Sequence, residues 1–189
     1  MDGSEVKVRL RAELKARRDA LLAGLDAPGR CFAFRRVPSP LQALIDPVET
    51  IAGYVAIGSE ADPAALLAQA HGQGKVIALP YVERMAVPMR FLRWSPGEPL
   101  KQGRLGLLQP DPATAPEVAP DLFLAPLVGF DRRLHRLGQG AAYYDRAFAR
   151  FPDAVRVGIA WSVQEVDMVP DDPWDVPLHA VLTEREWIE

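Results

Sequence analysis

Apolar and polar residues alternate along this chain in blocks that switch between two periods. Val6, Leu10, Leu14, Ala20 and Leu21 recur at helical spacing, with Lys7, Arg9, Arg11, Lys15, Arg17 and Arg18 set between them. The pattern predicts a basic amphipathic helix that ends near Gly24. The unbroken run Ile51–Ile57 reads as a buried strand. Asp62-Pro63 then opens a helix, with Asp as the N-cap and Pro at the first helical position, and Gly72 or Gly74 stops it. Lys75–Leu79 is a second short strand closed by Pro80, which completes a strand–helix–strand unit of the parallel kind.

Further along, Met89–Trp94 is a candidate strand, and the Pro- and Gly-dense stretch to Pro120 reads as wrapping loop. Leu122–Gly129 is apolar enough for a central strand, with Pro126 placed at its end. A helix is expected from about Gly140, a strand at Val155–Trp161, and a short strand at Val181-Leu182. This alternation predicts an α/β fold, layered, with a mostly parallel central sheet flanked by helices and one domain spanning 1–189.

Composition narrows the function classes. With 22 basic and 25 acidic side chains and a formal charge of −3, the chain offers no global attraction to nucleic acid or an anionic membrane, so any anion site must be local. No apolar run approaches the roughly 20 residues of a membrane span. Charged residues break up the N-terminal segment, which argues against a secretory signal. The lone Cys31 excludes an intramolecular disulfide, and a reducing cytoplasm is the expected location. His71, His135 and His179 lack metal-ligand spacing, and Ser59 and Ser162 lack a nucleophile-elbow context. Gly72-Gln-Gly-Lys75 is a poor phosphate loop, because no Ser or Thr follows the lysine and the segment enters a strand.

The densest polar cluster runs from Asp131 to Asp145. It sits after a strand and leads into a helix, a position suited to anions. Gly138 and Gly140 supply permissive backbone, and Arg136 offers a forked donor. From spacing alone, an ordinary strand-to-helix turn with a surface arginine explains the segment equally well.

Gly129-Phe130-Asp131, Arg136-Leu137-Gly138 and Tyr143-Tyr144-Asp145 together resemble, in order and spacing, the signature of the 5-formyltetrahydrofolate cyclo-ligase family. Lys7-Val-Arg-Leu-Arg11 resembles that family's N-terminal K-x-x-L-R element. Glu60 stands where the family carries a folate-binding glutamate, Leu79-Pro80-Tyr81 matches its I/L-P motif, and Val169-Pro170 with Asp175 its V-P…D element.

The resemblance implies an enzyme that uses ATP and Mg²⁺ to convert 5-formyltetrahydrofolate to 5,10-methenyltetrahydrofolate, with a reduced folate and ATP as its small-molecule partners and a monomeric state. It assigns nucleotide binding to Lys7, Arg11, Arg136, Leu137, Gly138, Gln139, Gly140, Tyr143 and Tyr144, with Lys7 and Arg136 catalytic. Val55, Glu60, Gln139, Gly140 and Tyr143 fall to the folate, and Asp145 and Asp175 to the metal. The chain departs from the family pattern at Leu134, Ala141 and Ala142, which replace favoured glycines, at His179, which replaces an acid, and at Leu105, where an aromatic is common. A diverged homologue that binds nucleotide or folate without turnover is the alternative expectation.

Overall fold

The computed structural model describes residues 3–26, 33–84, 87–103 and 106–189; Cys31 and Leu105 lie outside them. Its chain order is α1 (Gly3–Gly24), α2 (Ser39–Ile45), β1 (Thr50–Ala52), α3 (Ala64–Gly72), β2 (Val76–Tyr81), β3 (Arg90–Arg93), β4 (Lys101–Gln102), β5 (Leu108–Gln109), β6 (Leu122–Pro126), β7 (Gly129–Phe130), β8 (Arg136–Leu137), α4 (Tyr143–Arg150), β9 (Val155–Ile159), a 3₁₀ turn (Ser162–Gln164), β10 (Ala180–Leu182) and β11 (Trp187–Ile188).

Seven strands form the main sheet in the order β11-β10-β9-β6-β1-β2-β3. The inner five are parallel, and antiparallel β3 and β11 close the two edges. This is the layered α/β architecture that the alternation predicts. The period of two along each strand decides what covers each face. Ile51, Ile77, Leu79, Leu122, Leu124, Val157 and Ile159 point to one side, where Leu66, Leu67 and Ala70 of α3 and Leu41 and Ile45 of α2 bury them. Ala52, Ala78, Phe123 and Ala125 point to the other, where Phe91, Ala147 and Phe148 cover them.

Several boundaries differ from expectation. The first strand ends at Ala52 instead of Ile57, because after Gly53 the chain leaves the ladder and Tyr54 turns its hydroxyl to the carbonyl of Ala61. Pro63, not Asp62, occupies the N-cap position of α3, although the Asp62 carboxylate still accepts a bond from Ala64 N at 2.9 Å. Gly72 ends that helix, and Gly74 follows with φ +87, so the Gly-Gln-Gly stretch is a helix stop. Lys75 donates to the carbonyls of Asp46 and Val48, a structural task.

Pro80 does not end its strand, which pairs on to Tyr81; it stands beyond the last β1–β2 pair at Ala78, where no ladder bond is required of its nitrogen. Pro126 does end β6. Residues 129–130 belong to a separate hairpin with β8, in the register Gly129↔Leu137 and Phe130↔Arg136. The helix expected from Gly140 starts at Tyr143.

One carboxylate organises that hairpin. Asp131 is fully buried and accepts bonds from Arg133 N at 2.9 Å, His135 N at 3.1 Å and Val169 N at 2.9 Å, with the Arg133 guanidinium at 2.9 Å. Burial alone would raise its pKa. The bonds from Val169, Arg133 and His135 overcome that and hold it below the usual aspartate range. Two of the three glycine replacements sit where glycine is favoured: Leu134 has φ 67 and Ala142 φ 50, whereas Ala141 is not in the left-handed region. Leu134 offsets its strain by packing partly buried against the second core cluster, but Ala142 is exposed.

Because the folded pKa of Asp131 is depressed, its contribution to stability is complete above the ordinary aspartate value of about 4 and is lost as pH falls through the folded value. Asp131→Asn is therefore expected to lose about 2 kcal/mol or more at pH 7, with the gap to wild type closing below pH 4. Urea unfolding at both pH values checks this, and a gap independent of pH would refute the carboxylate's role. Ala142→Gly is expected to raise stability by up to about 1 kcal/mol through relief of the left-handed strain. A lowered urea midpoint would contradict that assignment.

Candidate functional site

The inner strands run outward in sequence from β1, to β2 on one side and to β6, β9 and β10 on the other. The order therefore reverses between β1 and β6, which is where open α/β sheets leave a crevice beyond the carboxyl ends of their strands. A cleft of about 600 Å³ lies there, lined by Val55, Ile57 and Glu60 after β1, Pro80 and Val82 at the end of β2, and Pro126 at the end of β6. A wider and more open cavity of about 760 Å³ sits near β10 and β11. Two of its polar groups are turned to neighbours, Glu184 to Ser162 and Thr183 to Glu186, and none of the residues expected from sequence lines it, so the chemistry is placed in the first.

Helix α1 forms one wall. Lys7, Arg11, Lys15 and Arg18, spaced by four, four and three, make one stripe along the helix, and all four line the cleft. The adjoining stripe is apolar: Leu14 is fully buried with Leu137, Val128 and Val169. Gly129 permits that seat, since a Cβ there would lie 2.4 Å from Leu14 Cδ1. The basic stripe is thus aimed by the burial of its neighbour.

The β7–β8 hairpin and α4 form the facing wall. Arg136, with its side chain only 5 % exposed, donates to Asp145 at 2.7 Å. Its guanidinium carbon lies 5.6 Å from the ring centre of Tyr144 and 5.5 Å from that of Phe148. Gly138 serves this arrangement: a Cβ there would come within 2.8 Å of Arg136 Nη1, and its carbonyl accepts from Arg11 Nε at 2.8 Å. A side chain at this position would crowd the Arg136 guanidinium. Gly140, at φ +103, needs the freedom of glycine outright. Buried Arg136 Nε and Tyr144 Oη have no protein partner among the described residues. Burial pushes the Tyr144 phenol well above its ordinary pKa, against the pull of Arg136.

The third wall is the Pro-rich segment after Val169. Lys7 Nζ donates to Asp172 at 2.6 Å and to Asp175 at 3.2 Å, and Asp172 N donates to Asp175 at 2.9 Å. Burial disfavours the Lys7 charge, but these two carboxylates outweigh it and hold the pKa above that of an ordinary lysine. Glu60 accepts from Ile57 N at 3.1 Å and from Gln139 at 3.2 Å, which ties the strand β1 side to the hairpin side.

Every site residue expected from sequence therefore borders one cleft: Lys7, Arg11, Val55, Glu60, Arg136 to Gly140, Tyr143, Tyr144, Asp145 and Asp175. Asp145 and Asp175, expected to hold a metal, each engage a cation here. Among the described residues no cluster of three or more His, Cys, Asp or Glu could hold a metal unaided. Two carboxylates do suit Mg²⁺, which protein sites commonly hold through one or two carboxylates while substrate phosphates and water complete the shell.

Sequence reasoning missed Lys15, Arg18, Asp172 and Trp174, which also line the cleft. For Lys15 and Arg18 the signal was present, since they continue the Lys7–Arg11 stripe. His179 lies elsewhere, accepting from Arg156 N at 2.9 Å; burial and Arg156 depress its pKa. No helix of the described residues is long and apolar enough to cross a membrane.

Comparison with known proteins agrees with this geometry. The model of the 5-formyltetrahydrofolate cyclo-ligase family matches residues 3–184. The chain is 33% identical over 141 residues to the 5-formyltetrahydrofolate cyclo-ligase of Haemophilus influenzae, covering 71% of this chain and 75% of that one. It is 32% identical over 141 residues to the Escherichia coli K12 enzyme of the same name, covering 71% and 77% respectively. The NMR structure of Aquifex aeolicus 5,10-methenyltetrahydrofolate synthetase superposes with a TM-score of 0.78 at 29% identity, over 97% of this chain and 92% of the other. With the family model spanning residues 3–184 and about a third of the aligned residues shared with these relatives, this chain belongs to the 5-formyltetrahydrofolate cyclo-ligase family.

Proposed function

We propose that this chain converts 5-formyltetrahydrofolate to 5,10-methenyltetrahydrofolate, with ATP as cosubstrate and Mg²⁺ held with it. The observation that carries the reading is the basic stripe of α1 facing Arg136 across a cleft that also presents Glu60. Phosphates would take Lys7 and Arg11 of the stripe and the Arg136 guanidinium; a pterin, with its N–H donors, would take the carboxylate.

The reaction asks for placement and charge neutralisation, not a protein nucleophile. The N5-formyl oxygen attacks the γ-phosphorus, an O–P bond forms, the bond to the bridging oxygen breaks, and ADP leaves. N10 then attacks the activated carbon, the C–O bond breaks as phosphate departs, and the N10 proton passes to phosphate. Lys7, Arg11 and Arg136 are assigned to the phosphoryl oxygens, with Lys7 and Arg136 closest to the transferring group. Leu137 to Gly140 would form the floor beneath the nucleotide. Gln139, Gly140 and Tyr143 also border the folate, which Val55 and Glu60 hold from the side of β1. Tyr144 stacks on Arg136 and keeps it aimed.

Asp145 and Asp175 are the residues that would hold Mg²⁺, which supplies charge neutralisation at the phosphates when bound. Since both carboxylates now pair with phosphate-binding cations, ligand entry exchanges one set of ion pairs for another. Neither of these two carboxylates thereby stands unpaired in either condition.

Mixing the protein with 5-formyltetrahydrofolate and Mg-ATP is expected to give methenyltetrahydrofolate absorbance and stoichiometric ADP; folate binding with neither product would refute turnover. Arg136→Lys, which keeps the charge but loses the fork, is expected to weaken ATP binding by about tenfold or more. Asp145→Asn should raise the Mg²⁺ concentration needed for half-maximal rate. An unchanged Mg²⁺ dependence would remove Asp145 from the metal.

A further inference from the structure

The reaction as assigned leaves one buried cation of α1 without a task. Arg18 is only 6 % exposed, yet it borders the cleft. Its Nε donates to Ser59 Oγ at 2.8 Å. Among the described residues no carboxylate forms an ion pair with it, and the neighbouring Asp19 is engaged by the Ser59 hydroxyl. A buried guanidinium without a counter-charge is unfavourable unless something else supplies acceptors. Here the open side is the cleft.

Its setting limits what that acceptor can be. Ser59 is fixed, because its carbonyl accepts from Trp161 Nε1 at 3.1 Å. The next residue in the chain is Glu60, whose carboxylate is held by Ile57 N and Gln139. An acceptor and a forked donor are therefore mounted side by side, both on the Ser59-Glu60 pair. A 2-amino-4-oxo pterin presents the complementary edge: its 2-amino group and N3–H donate, and its 4-oxo oxygen accepts.

We propose that Arg18 binds the 4-oxo oxygen of the pterin while Glu60 takes the 2-amino and N3 hydrogens, so that the pair selects 4-oxo over 4-amino pterins. This rests on the folate reading above and adds a specificity-determining residue to it. A 4-amino group would bring donor against donor at Arg18, and because N3 then carries no hydrogen it also costs Glu60 one of its two bonds; such mismatched polar contacts discriminate strongly. Arg18 takes no part in nucleotide binding.

The test measures the binding of 5-formyltetrahydrofolate and of its 4-amino-4-deoxy counterpart to the full chain, with ATP affinity followed in parallel. Wild type is expected to favour the 4-oxo compound by roughly ten- to hundredfold, the range of a charge-assisted hydrogen bond. Arg18→Met should cut that preference by roughly tenfold, leaving only the part due to N3 at Glu60, with ATP affinity unchanged, and Arg18→Lys should restore part of it. A preference undiminished in Arg18→Met, or a parallel loss of ATP affinity, would overturn the assignment. If Arg18→Met does not fold, the wild-type preference and Arg18→Lys still decide: equal binding of both compounds by wild type overturns the role of Arg18 alone. Binding of neither compound by wild type overturns the folate reading itself.

Discussion

The Asp131 carboxylate is the point on which the cleft depends. It is buried without exposure, and it ties together two stretches of chain that no sheet ladder joins: the hairpin turn at residues 131–135 and the start of the Pro-rich segment at Val169. Arg133 reinforces the same joint, donating to Asp131 and to the Val169 carbonyl. From one side of this joint extends β8, which aims Arg136; from the other extends the segment bearing Asp172 and Asp175. A single desolvated charge, fully supplied with donors, thus sets the separation of two walls.

The third wall depends on a different force. Helix α1 is held by Leu14 against Gly129 and Leu137, a contact of apolar surfaces, and the angle of that contact decides which arginines and lysines face inward. Charge alone could not have done so, since basic side chains in water have little reason to point one way. Hydrophobic burial orients the helix, and the cations follow because they occupy the adjoining stripe.

How much of this was legible in the sequence varies with the physics involved. The layers and the parallel sheet were readable from period, because Leu122, Leu124, Val157 and Ile159 must bury and do so on one face. The residues bordering the cleft were readable from resemblance to a family, residue by residue. Boundaries were not: Pro80 lies inside a strand because the neighbouring strand has already ended, a fact about β1 that no local pattern around Pro80 contains. The β7–β8 hairpin was invisible for a similar reason, since its short strands are fixed by Asp131 and not by alternation. The closeness of Gly138 to the Arg136 guanidinium is likewise a fact of tertiary packing that the glycine pattern does not contain.

The bond from Lys7 to Asp172 joins residues 165 apart in the chain. During synthesis one partner must wait for the other, so this side of the cleft cannot close on its own groups until the chain between them is available. Until then Lys7 stands without its two carboxylates. The wall that α1 supplies is thus completed by a segment beyond β9, which makes a closed Lys7 contact a report that the sheet between them has formed.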